Sequence, residues 1–116
     1  MTHARQELGK TGEDLASAEL ERRGYAILAR RYRTRYGEID IVARDEDTLV
    51  FVEVKARAGG SFCTAAEAVT PQKQRKVAMM AADYLARNGL GEIACRFDVV
   101  AIDGDEVSVI RDAFLA

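Results

Sequence analysis

The sequence predicts an α/β domain with a mixed five-stranded sheet flanked by helices, and three observations predict it. Residues 2–23 and 71–88 carry apolar side chains at helical spacing. Residues 25–31, 37–57, 95–102 and 107–110 alternate or run apolar at strand length, with polar turns between them. The resulting order is helix, three strands, helix, two strands. At 116 residues the chain is read as one domain, 1–116, long enough to bury a core without staples.

In the first helix Leu8, Gly12, Leu15, Ala16 and Glu19 share helical spacing, no β-branched residue falls between Gly12 and Gly24, and Gly24 ends it. Glu13 lies three and seven residues before Ala16 and Leu20, so it shares a partly apolar face. It is there either at the solvated edge of the core or aimed into a site. The strand 25–31 reads as an edge strand because of its arginines. Arg22, Arg23, Arg30, Arg31, Arg33 and Arg35 interleave with Tyr25, Tyr32 and Tyr36, and residues 22–36 contain no acid. Arginine grips phosphate through its planar fork and tyrosine stacks on bases, whereas a solvated basic edge would serve only to block edge pairing.

Residues 37–57 form a hairpin turning at Glu46 and Asp47. Period-two alternation puts Ile39, Ile41 and Ala43 on one face and Glu38, Asp40 and Val42 on the other. In the second strand Phe51, Glu53 and Lys55 share a face, opposite to Val50, Val52 and Val54. Symmetric closure pairs residues whose numbers sum to 93 and sets Asp40 opposite Glu53, about 5 Å apart at Cβ. Like charges so opposed are destabilising, so a cation is expected between them. Residues 58–61 then read as a loop at the rim of the site, and 62–70 as a short strand or irregular crossover.

Thr70 and Pro71 are a helix start, N-cap and first helical residue, and the helix stops at Gly89. Val77, Ala81, Tyr84, Leu85 and Asn88 mark its inward stripe, with Met80 beside it. Lys73, Arg75 and Lys76 occupy its first turns, the wrong sign for a helix N-terminus, and a bound phosphate would reverse that penalty. Residues 95–102 suit a central strand, and 103–105 turn it into 107–110.

Net charge is −2, but residues 22–76 carry 12 basic and 7 acidic groups while both flanks are net acidic. A positive field confined to the segment that holds the carboxylates suits a polyanionic ligand. With His3 the single histidine, and Cys63 and Cys95 far apart, neither a zinc site nor a histidine-based nucleophile can be assembled. Two buried reduced thiols in a cytoplasmic protein are expected, with no membrane-spanning or signal-like run and no small-molecule cofactor motif. Asp40, Glu53 and the Val54 carbonyl offer hard oxygen ligands, which suit Mg²⁺ or Mn²⁺ finished by substrate phosphate. Lys55 stands ready to orient water or to neutralise charge on the transition state.

The blocks GEDLA, GEIDIVARD, LVFVEVKAR, AAEAVTPQK and RFDVV resemble the YraN-like family of small bacterial proteins, from Gly12 to about Ile102. That family is similar to the restriction-endonuclease-like PD-(D/E)xK superfamily, closest to archaeal Holliday junction resolvases. The resemblance implies an αβββαβ core, with Asp40, Glu53 and Lys55 as acid, acid and lysine, and Glu13 as a helix-borne glutamate added to the metal site. The proline that precedes the first acid of that motif is Ile39 here, and Cys63 stands where the family has glycine. The expected function is a Mg²⁺-dependent nuclease acting on DNA rather than RNA, with branched junctions as candidate substrates. Asp40, Glu53 and Glu13 are the expected metal ligands; Arg30, Arg31, Arg33, Arg35, Arg57, Lys73, Arg75 and Lys76 the expected phosphate contacts. A homodimer is implied by the resemblance alone. The alternatives are a nucleic-acid-binding module with a vestigial site and a structural protein with an internal ion network, the latter a poor means of gaining stability.

Overall fold

Short turns join the first three strands, so they can only run antiparallel, whereas the next connection carries a helix and permits a parallel neighbour. The computed structural model describes residues 4–57, 70–104 and 106–114, with side chains for 12–56, 70–104 and 106–114. Its elements are α1 (Ala4–Arg22), β1 (Ala26–Thr34), β2 (Gly37–Asp45), β3 (Thr48–Arg57), α2 (Pro71–Arg87), β4 (Cys95–Asp103) and β5 (Glu106–Ile110). They form one five-stranded sheet in the order β1-β2-β3-β4-β5, antiparallel except for the parallel β3–β4 pair. The fold class is the expected one, an α/β fold with a mixed sheet and two helices. The basic strand β1 lies at an edge, and β4 is interior with a partner on each side. Among the described residues no helix is long and apolar enough to cross a membrane.

Each helix covers one face of the sheet. Ala16 and Leu20 of α1 pack with Ile41, Ala43, Val50, Val52, Val100 and Ile102. Val77, Met80, Ala81 and Tyr84 of α2 pack with Ile39, Val42, Leu49, Phe51 and Phe97. Both helices end where glycine allows a left-handed residue. At Gly24 (φ +96) the Tyr25 amide reaches back to the Leu20 carbonyl at 2.9 Å, and at Gly89 (φ +59) the Leu90 amide reaches Leu85 at 3.1 Å. Asn88, expected on the inward stripe of α2, is instead its exposed C-cap.

The α2 start agrees closely with the sequence: the Thr70 hydroxyl accepts the Lys73 amide at 3.1 Å, with Pro71 at the first helical position. Thr70→Ala is expected to cost about 1 kcal/mol, read in urea unfolding as a lower midpoint at unchanged slope. Cys95, expected to be buried, is a free and exposed thiol, because it opens β4 at the rim of the sheet. Cys63, His3, the 58–61 loop and residues 62–69 lie outside the described residues.

One fully buried charge lies within this core. Asp98 on β4 accepts the Tyr25 hydroxyl at 2.8 Å, two Arg96 nitrogens at 2.9 and 3.0 Å, and the Asp112 amide at 3.0 Å. Arg96 also reaches Asp45 at 3.1 Å, so the end of α1, the β2–β3 hairpin, β4 and the turn after β5 are tied at one point. Burial and the hydrogen bond to Asp98 push the Tyr25 hydroxyl up to about 12.

Candidate functional site

The site forms where the central ladder stops. Pairs whose numbers sum to 93 run from Asp45↔Thr48 to Ile41↔Val52, as the symmetric hairpin requires. The next pair, Asp40 and Glu53, does not join the ladder; Asp40 Oδ2 accepts the Val54 amide at 2.7 Å instead. The expected direct opposition of the two acids is thus replaced by a side-chain cap on the β3 backbone.

Alternation fails at this point in β2 and in its other neighbour, β1. Ile39 and Val42, three residues apart, pack in the same cluster against α2, while Ile41 between them packs against α1. Ala29 and Tyr32 on β1 repeat the pattern. Strict alternation would put residues three apart on opposite faces. Between Ala29 and Tyr32 stands Arg31 with φ +52, a left-handed non-glycine residue that re-aims the rest of the strand. The expectation that Ile39, Ile41 and Ala43 share a face therefore holds only for Ile41 and Ala43.

The irregularity gathers carboxylates beneath α1. Oxygens of Glu13, Glu38 and Asp40 all lie within 4.8 Å of one another. Glu13 is there because Ala16 and Leu20, one and two turns on, anchor that side of α1 in the core, leaving its side chain only 12% exposed. Glu38 is the member that reading by residue type missed, although its alternation with Asp40 on β2 was the signal that could have found it. Ser17, one turn beyond Glu13, is buried with no hydrogen-bond partner for its Oγ among the described residues.

Glu53 lies on the other face, continuing the alternation from Phe51, and is 8% exposed. Its Oε1 is 3.8 Å from Lys55 Nζ and 3.4 Å from Lys73 Nζ. Lys73 arrives there because α2 is the crossover between the parallel strands β3 and β4, and starts beyond the C-terminal end of β3. Asp40 senses both groups of acids. Burial, then the charge of Glu53, and more weakly that of Glu13, push its carboxyl up to about 6, against the opposing pull of the Val54 amide and Lys73.

The arginines of β1, unopposed in the sequence, are opposed in space. Arg31 Nε bonds both Glu13 oxygens, at 3.0 and 2.8 Å. Arg30 bonds Asp14 at 2.8 Å and lies 3.6 Å from Glu13, and Arg33 lies 3.3 Å from Glu38. Arg35 stacks on Tyr36 at 4.9 Å, and Arg75 and Lys76 are exposed at the start of α2. The Arg57 side chain is outside the described residues.

The donors brought together are all hard carboxylate oxygens, without histidine or thiol, the set that suits Mg²⁺ or Mn²⁺ rather than zinc or copper.

Comparison with known proteins gives one consistent result. Residues 12–102 match the Uncharacterised protein family UPF0102. A UPF0102 protein of Ralstonia pickettii is 51% identical over 110 residues, covering 91% of this chain and 88% of the relative. One from Desulforapulum autotrophicum is 46% identical and covers 98% of both chains. One from Rhodococcus opacus is 45% identical, covering 92% of this chain and 95% of the relative.

Proposed function

The chain belongs to the UPF0102 family, and from the convergence of its carboxylates we propose that it is a Mg²⁺- or Mn²⁺-dependent nuclease that hydrolyses phosphodiester bonds in DNA. The observation that carries this reading is the meeting of Glu13, Glu38 and Asp40 within 4.8 Å, on a hairpin whose Glu53 and Lys55 stand alongside. The helix–three strands–helix–strand order with Asp40, Glu53 and Lys55 at these places supports a restriction-endonuclease-like reading of the fold. The resemblance adds a homodimer and four-way junctions as the branched substrate, and the reading of the two cysteines as reduced thiols adds a cytoplasmic location.

Asp40, Glu13 and Glu38 would hold the cation, with Glu53 approaching Asp40 from the other face as the further acid of the expected set. A bound divalent ion supplies an activated water and a Lewis acid for the phosphoryl oxygen. The rest falls to the chain's own groups. Lys55 and Lys73, the two ammonium groups beside Glu53, orient the water and hold the phosphate oxygens as they gain charge. Arg33, Arg35, Arg75 and Lys76 would grip flanking phosphates, which would fix the duplex without reading its sequence.

The test is incubation of purified protein with Mg²⁺ or Mn²⁺ and linear, flapped or four-way DNA, with RNA in parallel. Cleavage that falls by about 10²-fold or more in Lys55→Ala is expected. Absence of any product, or equal cleavage by the variant, overturns the catalytic reading. A second reading, a nucleic-acid-binding module with a vestigial site, is favoured by one observation: Arg31 and Arg33 already neutralise Glu13 and Glu38 internally. It predicts metal-independent binding that weakens steeply with salt and yields no product.

A further inference from the structure

Three cations of one strand face the carboxylates, but they are not equivalent. Arg30 has its closest acid in Asp14, outside the cluster, and Arg33 touches Glu38 through one 3.3 Å contact while remaining 83% exposed. Arg31 alone engages both oxygens of a clustered acid, and that acid, Glu13, is nearly buried. Those oxygens are the ones a metal ion in the cluster would need. A guanidinium and a divalent ion sharing one carboxylate repel each other, so both cannot hold it well.

Arg31 is also the residue with the left-handed backbone, φ +52, at the point where β1 and β2 lose alternation. Such a conformation costs free energy in a non-glycine residue and persists where its surroundings hold it, often in elements with two arrangements. Its side chain is 54% exposed, so it can swing away without disturbing the core, whereas Glu13 cannot. We propose that Arg31 is a resident counter-ion of the site: a divalent cation displaces it from Glu13, and the released guanidinium then grips a backbone phosphate. The proposal rests on the nuclease reading and adds an order to it, cation before DNA, with the same arginine guarding the empty site and serving the filled one.

The experiment is calorimetric titration of Mn²⁺ into the full chain, comparing wild type with Arg31→Asn and Arg35→Asn. Asparagine tolerates the left-handed conformation, so the first variant removes the charge without adding backbone strain. Arg35→Asn removes a neighbouring charge that touches Tyr36 rather than the cluster. Arg31→Asn is expected to bind Mn²⁺ about 5-fold more tightly than wild type, and Arg35→Asn to change affinity less than about 2-fold. Equal or weaker binding by Arg31→Asn overturns the exchange and makes Arg31 a strut that holds Glu13 in place. An equal gain in Arg35→Asn also overturns it, because the effect would then be general electrostatics. Wild type that binds no Mn²⁺ overturns the metal reading itself, a different failure. On the wild type, the Arg31 Nε–H resonance is expected to move on saturation with Mg²⁺; an unmoved resonance in a metal-bound protein overturns the exchange.

Discussion

Asp40→Asn is expected to abolish DNA cleavage, by about 10²–10⁴-fold, while making the metal-free protein more stable at neutral pH. The two effects share a cause. The carboxyl is raised from 3.8 to about 6 by burial and by Glu53, so its ionised form is disfavoured in the folded state. Between those values the folded protein binds more protons than the unfolded chain, so stability falls as pH rises through the window and levels off above it. The shift corresponds to at most about 3 kcal/mol at neutral pH, and asparagine removes it while keeping an oxygen for the Val54 amide. Urea unfolding of the metal-free protein from pH 4 to 7 should show this decline in wild type and a flatter profile in the variant. A variant that cuts normally, or that loses stability at pH 7, contradicts the assignment of Asp40. Because metal and proton compete for one carboxylate, Mg²⁺ affinity in wild type should also weaken as pH drops through about 6.

Asp98→Asn is expected to have the largest effect on stability, a loss of about 3–5 kcal/mol, without touching the carboxylate cluster. Asp98 is fully buried and fully used: two contacts from Arg96, one from Tyr25 and one from the Asp112 amide. Removing its charge leaves the Arg96 guanidinium, itself only 14% exposed, with Asp45 as its remaining acid. Tyr25→Phe removes two hydrogen bonds, one donated to Asp98 and one accepted from Arg96, and should cost about 1–3 kcal/mol. Pairing Asp98→Asn with Arg96→Met should recover part of the loss, because the mostly buried cation that had lost one of its two acids is then gone. The check is urea unfolding of the wild type, Tyr25→Phe, Asp98→Asn, Arg96→Met and the Asp98→Asn/Arg96→Met double variant; additive losses of the two single variants would show that Asp98 and Arg96 act independently.

The candidate site was legible in part. Asp40, Glu53 and Lys55 could be picked out because their spacing on the predicted hairpin carries them to one region, whereas Glu13, which spacing left between a solvated edge and a site, was picked out only through the family resemblance. Glu38 was missed although its alternation with Asp40 pointed to it, and the approach of Lys73 to Glu53 and the pairing of Arg30, Arg31 and Arg33 with acids could not be read from the sequence. Each depends on how two elements meet: α1 over β1 and β2, or the start of α2 over the end of β3. The RFDVV block was visible as a motif, yet nothing in its spacing told that Asp98 would collect Tyr25 and Asp112 from opposite ends of the chain in addition to Arg96.

By itself the sequence determined what is local. Periodicity set the helices and strands, Thr70–Pro71 and the two glycines set helix ends, and the polar turn at Glu46–Asp47 set a register that holds for five consecutive pairs. Tertiary structure decided the rest because a left-handed residue at Arg31 breaks the alternation on which register arguments depend. Past that point Asp40 no longer faces Glu53 across a ladder. It caps the β3 backbone, and its carboxylate joins two others that only packing beneath α1 could bring within reach.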